Sequence, residues 1–197
     1  MLLESLVGSV VIGFIRGGKL RRLTNIRFKR IWIFLLAIAV QLGIVFLTIN
    51  EVEFVLKYTK ELYIISYALL FIGIISNFKY KSLWVIAIGG ALNLFSFIAN
   101  KGKIPVSVEG LELAGLKEMA ELVKQGKMTL YEPITEATKY SFLGDIITVP
   151  EPYPFPHILS IGDMVIALGL FIFIQSIMLN EGLDRGGMIR FSYRHRI

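Results

Sequence analysis

The chain has no cysteine, only two histidines and only three aspartates in 197 residues. The first absence excludes disulfides, thiolate metal sites and a cysteine nucleophile. The second leaves His157 and His195, which are far apart in sequence, so no metal site is expected. No internal repeat, P-loop, HExxH or GxSxG motif is present, which removes the commonest phosphate-binding, zinc-peptidase and serine-hydrolase signatures. Long polar stretches are scarce as well. No cofactor is implied by any of these patterns.

What is abundant is apolar sequence: 55% of residues are hydrophobic and the mean hydropathy is +0.67. Continuous apolar runs at 31–49, 62–78, 83–99 and 158–179 are near the roughly 20 helical residues that a bilayer core requires. A shorter run, about 1–16, is a fifth candidate. A signal peptide carries its positive charge ahead of the apolar run, whereas here Glu4 precedes and the basic cluster follows, so this helix is expected to be retained. The expectation is an all-α, integral membrane bundle of about five transmembrane helices forming one domain over 1–197. A long extracytoplasmic loop, 100–157, contains an amphipathic helix, and a tail, 180–197, follows the last span.

Charge supplies the orientation. The linker 16–30 holds seven basic residues (Arg16, Lys19, Arg21, Arg22, Arg27, Lys29, Arg30) and no acid. Lys79 and Lys81 lie in a short turn, and Arg185, Arg190, Arg194 and Arg196 in the tail. By the positive-inside rule these segments face the cytoplasm, with the N-terminus outside and the tail inside. The formal net charge of +6 is therefore a topology signal. No nucleic-acid partner is expected; anionic lipid headgroups suit the same arginines.

Within the first run Ser5, Ser9, Gly13 and Gly17 recur every four residues, a stripe that lets another helix approach closely. Gln41 is expected to hydrogen-bond to a neighbouring helix. Asn93 and Ser96 put an amide and a hydroxyl in the fourth run, and a buried amide requires protein or a wet cavity beside it. In the loop, apolar residues from Leu111 to Val123 form a broad helical stripe over 109–125, expected as one amphipathic helix lying on the outer surface or over the bundle. The stretch 129–142 has no clear period. Pro150, Pro152, Pro154 and Pro156 predict a stiff, extended segment.

Asp145 and Asp163 bracket that proline stretch, and the second lies inside an apolar run, where an ionisable group is costly and reads as functional. Two carboxylates held together share a proton; one then activates a water while the other donates to a carbonyl. On this reading Asp145 and Asp163 are catalytic, and Asn93, Ser160 and Asn100 position the substrate, a membrane-embedded peptide or a lipid-linked molecule. A second reading stays open. Ser160 and Asp163 form an S-x-x-D helix start, in which Asp163 is a cap, and Asp145 after Gly144 is a turn residue. The protein is then a non-catalytic membrane binding or accessory protein whose outer loop contacts its partner.

Two resemblances bear on this choice. Gly17-Gly18-Lys19-Leu20, Asn100-Lys101-Gly102-Lys103-Ile104-Pro105-Val106-Ser107, Leu143-Gly144-Asp145-Ile146-Ile147 and Ser160-Ile161-Gly162-Asp163 resemble a family of uncharacterised multi-pass bacterial membrane proteins. That resemblance implies a bacterial plasma-membrane location and brings no activity. Gly89-Gly90-Ala91-Leu92-Asn93, Gly144-Asp145-Ile146 and the approach to Asp163 are similar to the asparagine-bearing helix and the two catalytic aspartates of lipoprotein signal peptidase. This second resemblance implies an aspartic hydrolase on a shared helical scaffold. Ser96-Phe97 stands where that family has an Asp-Arg pair, the loop is longer and the first helix is extra.

Overall fold

A computed structural model describes residues 2–50 and 52–179. The protein is mostly helical. Its elements in chain order are α1 (Leu2–Ile15), α2 (Ile31–Ile49), α3 (Glu53–Ser76), α4 (Leu83–Ala99), β1 (Ile104–Val106), α5 (Val108–Leu113), α6 (Lys117–Lys124), β2 (Tyr131–Pro133), β3 (Ile147–Val149), β4 (His157–Leu159) and α7 (Ile161–Met178). Short 3-10 turns occupy Leu20–Asn25 and Ser141–Leu143. Three helices, α2, α3 and α7, are long and apolar enough to cross a membrane, while α1 and α4 are shorter apolar helices. Their outward faces carry many large exposed apolar side chains, among them Leu35, Leu42, Phe46, Ile75 and Leu168. Such an apolar surface is compatible with membrane association.

The long helices pack as two groups. One is the pair α2–α3; the other is a layer in which α7 lies between α1 and α4. Small residues set the second group. Ser9 on α1 is fully buried, and its carbonyl accepts a 2.5 Å hydrogen bond from Gln175 Nε2 of α7. Ser5 Oγ donates to the Ala167 carbonyl at 2.5 Å, and a Cβ at Gly13 would meet Met178 Sδ at 2.6 Å. Ser5, Ser9 and Gly13 of the expected stripe thus make the contact of α1 with α7, while Gly17 lies beyond the end of α1 with nothing among the described residues within 4 Å of a Cβ there. On the other side, a Cβ at Gly89 of α4 would lie 2.5 Å from the Gly162 carbonyl of α7, so backbone meets backbone there. Within the first group, Gln41 Nε2 of α2 donates to Ser66 Oγ of α3 at 3.2 Å.

Residues 100–160 form a small cap with its own core of Val106, Leu111, Ala120 and Val123, each at 0% exposure. The single amphipathic helix expected over 109–125 is two helices. Gly115 breaks it with φ of +79°, a left-handed conformation that glycine adopts without a Cβ penalty, and α6 folds back beside α5. Lys124 of α6 closes the pair by an ion pair to Glu112 at 2.6 Å. The cap also holds β-structure absent from an all-α expectation: β1 pairs parallel with β2, and β3 antiparallel with β4.

That last pairing corrects the reading of the prolines. Instead of an extended spacer, 150–156 is the loop of a hairpin whose strands pair Ile147 with Leu159 and Val149 with His157. Proline lacks the N–H that a ladder needs, so the prolines gather in the loop and the apolar triplets form the strands. For the same reason α7 begins at Ile161 and not at 158, the preceding residues being strand. α3 is longer than expected, starting at Glu53, with non-helical dihedrals at Tyr58. The tail 180–197 lies outside the described residues.

Candidate functional site

The hairpin turns the chain back so that Ile146 N–H donates to the Leu159 carbonyl at 3.1 Å. Asp145 and the start of α7 are thereby neighbours. Asp145 is clamped from its other side by its own backbone: its N–H donates to Pro105 O at 2.8 Å and its carbonyl accepts from Ser107 N–H at 2.9 Å. A Cβ at Gly144 would lie 2.6 Å from the Pro105 carbonyl, so a side chain there would disturb this clamp.

Asp163 is held differently, through its side chain. Ser160 N–H donates to Asp163 Oδ2 at 3.1 Å and Asp163 N–H donates to Ser160 Oγ at 2.9 Å, the two arms of a capping box. Asn93 of α4 completes a ring: its Nδ2 donates to Asp163 Oδ1 at 2.8 Å, and its Oδ1 accepts from Ser160 Oγ at 2.8 Å. The close approach of α4 to α7 at Gly89 and Gly162 is what brings that amide within reach.

Both aspartates line one cavity of about 340 Å³ at the meeting of α3, α4, α7 and the cap. Asn93, Ser160 and Ser96 also line it, as do Tyr63, Tyr67 and Tyr131. The Asp145 carboxyl makes no hydrogen bond to another described residue. Burial, reinforced by the charge of Asp163, pushes its pKa up to about 7. Ser96 is 3% exposed and its hydroxyl, also on the cavity wall, has no hydrogen-bond partner among the described residues. The site thus combines one carboxylate fixed by two donors, one carboxyl free to exchange a proton near neutrality, and an uncommitted hydroxyl.

Four of the five residues singled out from sequence, Asp145, Asp163, Asn93 and Ser160, therefore stand together. Asn100 stands apart from them. Its Nδ2 donates to the Ser96 and Lys139 carbonyls and its Oδ1 accepts from Lys139 N–H, all at 2.9 Å, so it staples the end of α4 to the cap. The three tyrosines escaped the sequence reading. Tyr63 and Tyr67, four apart on one helix face, were the available signal, with ring centroids 5.2 Å apart. Among the described residues no group of three histidine, cysteine or acidic side chains is arranged to hold a metal ion.

Fold and site together define a mostly helical protein, compatible with membrane association, that carries an aspartate-lined cavity beneath a folded cap. The chain belongs to the family of unknown function DUF5317, whose model matches residues 25–175. It is similar to an uncharacterized protein of Thermotoga maritima, 27% identical over 156 residues that cover 79% of this chain and 80% of that protein. No solved structure matches the chain.

Proposed function

We propose that the protein is a five-helix bacterial plasma-membrane protein, its N-terminus and cap outside and its tail cytoplasmic, that acts as an aspartic hydrolase on a peptide at the outer membrane boundary. The observation that carries this reading is the unlike pair of carboxyls on one cavity wall. Asp163, its oxygens oriented by Asn93 and Ser160, takes a proton from a water whose oxygen attacks the scissile carbonyl carbon. Asp145, protonated, donates to the carbonyl oxygen as the tetrahedral intermediate forms, and Ser96 Oγ adds a second donor. The proton on Asp163 then passes to the leaving nitrogen as the C–N bond breaks, and Asp145 recovers its proton from the product acid. Water and amide are converted to acid and amine with no cofactor. The relative's bacterial source supports the location, and the resemblance to lipoprotein signal peptidase makes prolipoprotein leaders the first substrates to try.

The test compares wild type, Asp145→Asn and Asp163→Asn in matched membranes for cleavage of candidate prolipoproteins. Loss of cleavage by about 100-fold or more in both variants is expected, the scale for removing a general acid or base. Equal processing by all three removes prolipoprotein cleavage from this reading. A second function, a non-catalytic binding protein, is favoured by one specific observation: the capping box gives Asp163 a complete structural role. Under it, Asp163→Asn lowers stability, and Asp145→Asn alters binding of a lipid-linked or membrane partner at the cap.

A further inference from the structure

At the end of the bundle away from the cap, the basic linker 16–30 is built into the fold. Lys19 N–H and Arg22 Nη1 both donate to the Met178 carbonyl at the end of α7, at 3.1 and 2.7 Å. Lys29 N–H donates to Asn77 Oδ1 at 2.7 Å, and Asn77 Nδ2 returns a bond to the Lys29 carbonyl at 2.9 Å. Tyr80 Oη donates to the Arg27 carbonyl at 3.3 Å, while the Phe28 ring packs among Phe34, Tyr80 and Phe173. The linker is thus fastened to α7 and to the turn between α3 and α4.

Fastening leaves a hollow of about 240 Å³ between them. Arg22, Arg27 and Lys79 line it, with the Asn25 amide beside them and Tyr80 and Ile177 giving an apolar side. No acidic residue occurs between Glu4 and Glu51, and among the described residues no carboxylate lines the hollow. Arg22 donates to the Met178 carbonyl and Lys79 Nζ lies 4.6 Å from the Tyr80 ring centroid, contacts that leave three like charges lining one space without a counter-charge among the described residues. A phosphate matches them, because it accepts forked hydrogen bonds from guanidinium and a point-charge contact from ammonium.

We infer that this hollow binds the headgroup phosphate of an anionic phospholipid. The choice of a lipid over a free anion rests on the apolar surface at the same end of the bundle. Leu20, Phe78 and Trp84, close in the chain to the lining residues Arg22, Lys79 and Tyr80, are 48%, 67% and 47% exposed, side chains suited to the glycerol and acyl region of a lipid. The position, at the ends of the apolar helices, is where basic residues meet a leaflet's charge. The inference is independent of the aspartate cavity.

The experiment uses the full chain in phosphatidylcholine nanodiscs, with phosphatidylglycerol or inorganic phosphate added, and reads the melting midpoint together with lipid retained in native mass spectra. Wild type should be stabilised by phosphatidylglycerol and retain it, with little response to inorganic phosphate. Arg27→Gln/Lys79→Gln, which spares the Arg22 contact to α7, should weaken retention by about tenfold or more through loss of two charge-assisted contacts. The charge-conserving Arg27→Lys/Lys79→Arg should restore most of it, and Lys117→Gln/Lys127→Gln in the cap should change nothing. Unchanged retention in the first variant, an equal loss in the cap variant, or inorganic phosphate matching the lipid would each overturn the proposal.

Discussion

Asp145 illustrates how a single side chain gains its character from the backbone around it. Its main chain is clamped between Pro105 and Ser107, so the carboxyl is held where solvent is scarce and no donor among the described residues answers it. Its folded pKa, pushed up to about 7 from an ordinary value near 3.8, means the folded protein binds this proton more tightly than the unfolded chain. The resulting stability is present in full below about pH 4 and is lost as pH rises through 7. Asp163 and the phenols of Tyr63, Tyr67 and Tyr131 share its cavity, and phenols ordinarily titrate near 10, above this window. Wild type should therefore melt at progressively lower temperature from pH 5 to 8, while Asp145→Asn should show a flatter profile and match or exceed wild type above pH 7. Parallel profiles in a pH-resolved melting series would remove this assignment. The pair Asp145 and Asp163 stands out in the sequence because aspartates are rare in it, and both line one cavity. Asn100 stands outside that cavity, and in a sequence an asparagine at a helix end looks alike whether its amide faces a substrate or a backbone.

At the scale of elements, the apolar runs defined α2 and α4 to the residue, since nothing competes with helix in those stretches. The cap was harder. Gly115 divides a continuous amphipathic stripe, and periodicity has no means of registering one left-handed residue within it. The β3–β4 pairing was also hidden, because triplets such as Ile147-Thr148-Val149 are too short to show alternation. The contact of α4 with α7 is the joint on which the site depends. A methyl group at Gly89 would press on the Gly162 carbonyl and on Ile166, and both lie on the helix that carries Asp163. Gly89→Ala should cost about 1–3 kcal/mol, the range for overpacking a tight contact, and should also loosen the bond from Asn93 to Asp163. Denaturation measured in one detergent, with Gly43→Ala as the control at a glycine open to 4 Å, distinguishes this from a general helix effect.

For the whole molecule, the natural lack of cysteine makes orientation directly measurable, because any introduced thiol is the sole label site. In intact cells Lys117→Cys on α6 should react with an impermeant maleimide and Lys29→Cys should not; lysis should expose both. The reverse pattern would invert the membrane topology proposed above. Two helix groups joined beneath a cap also make the aspartate cavity a shared boundary, reached only when α3, α4, α7 and the cap have all come together. Asp145 and Asp163 nevertheless enter that boundary on unequal terms. One is seated by hydrogen bonds of its main chain, which any amino acid except proline can reproduce, whereas the other is woven through its own carboxylate into a helix start. Position 145 is consequently free to vary in evolution without cost to the architecture, so among relatives its identity should track chemistry, while substitutions at 163 must answer to folding first.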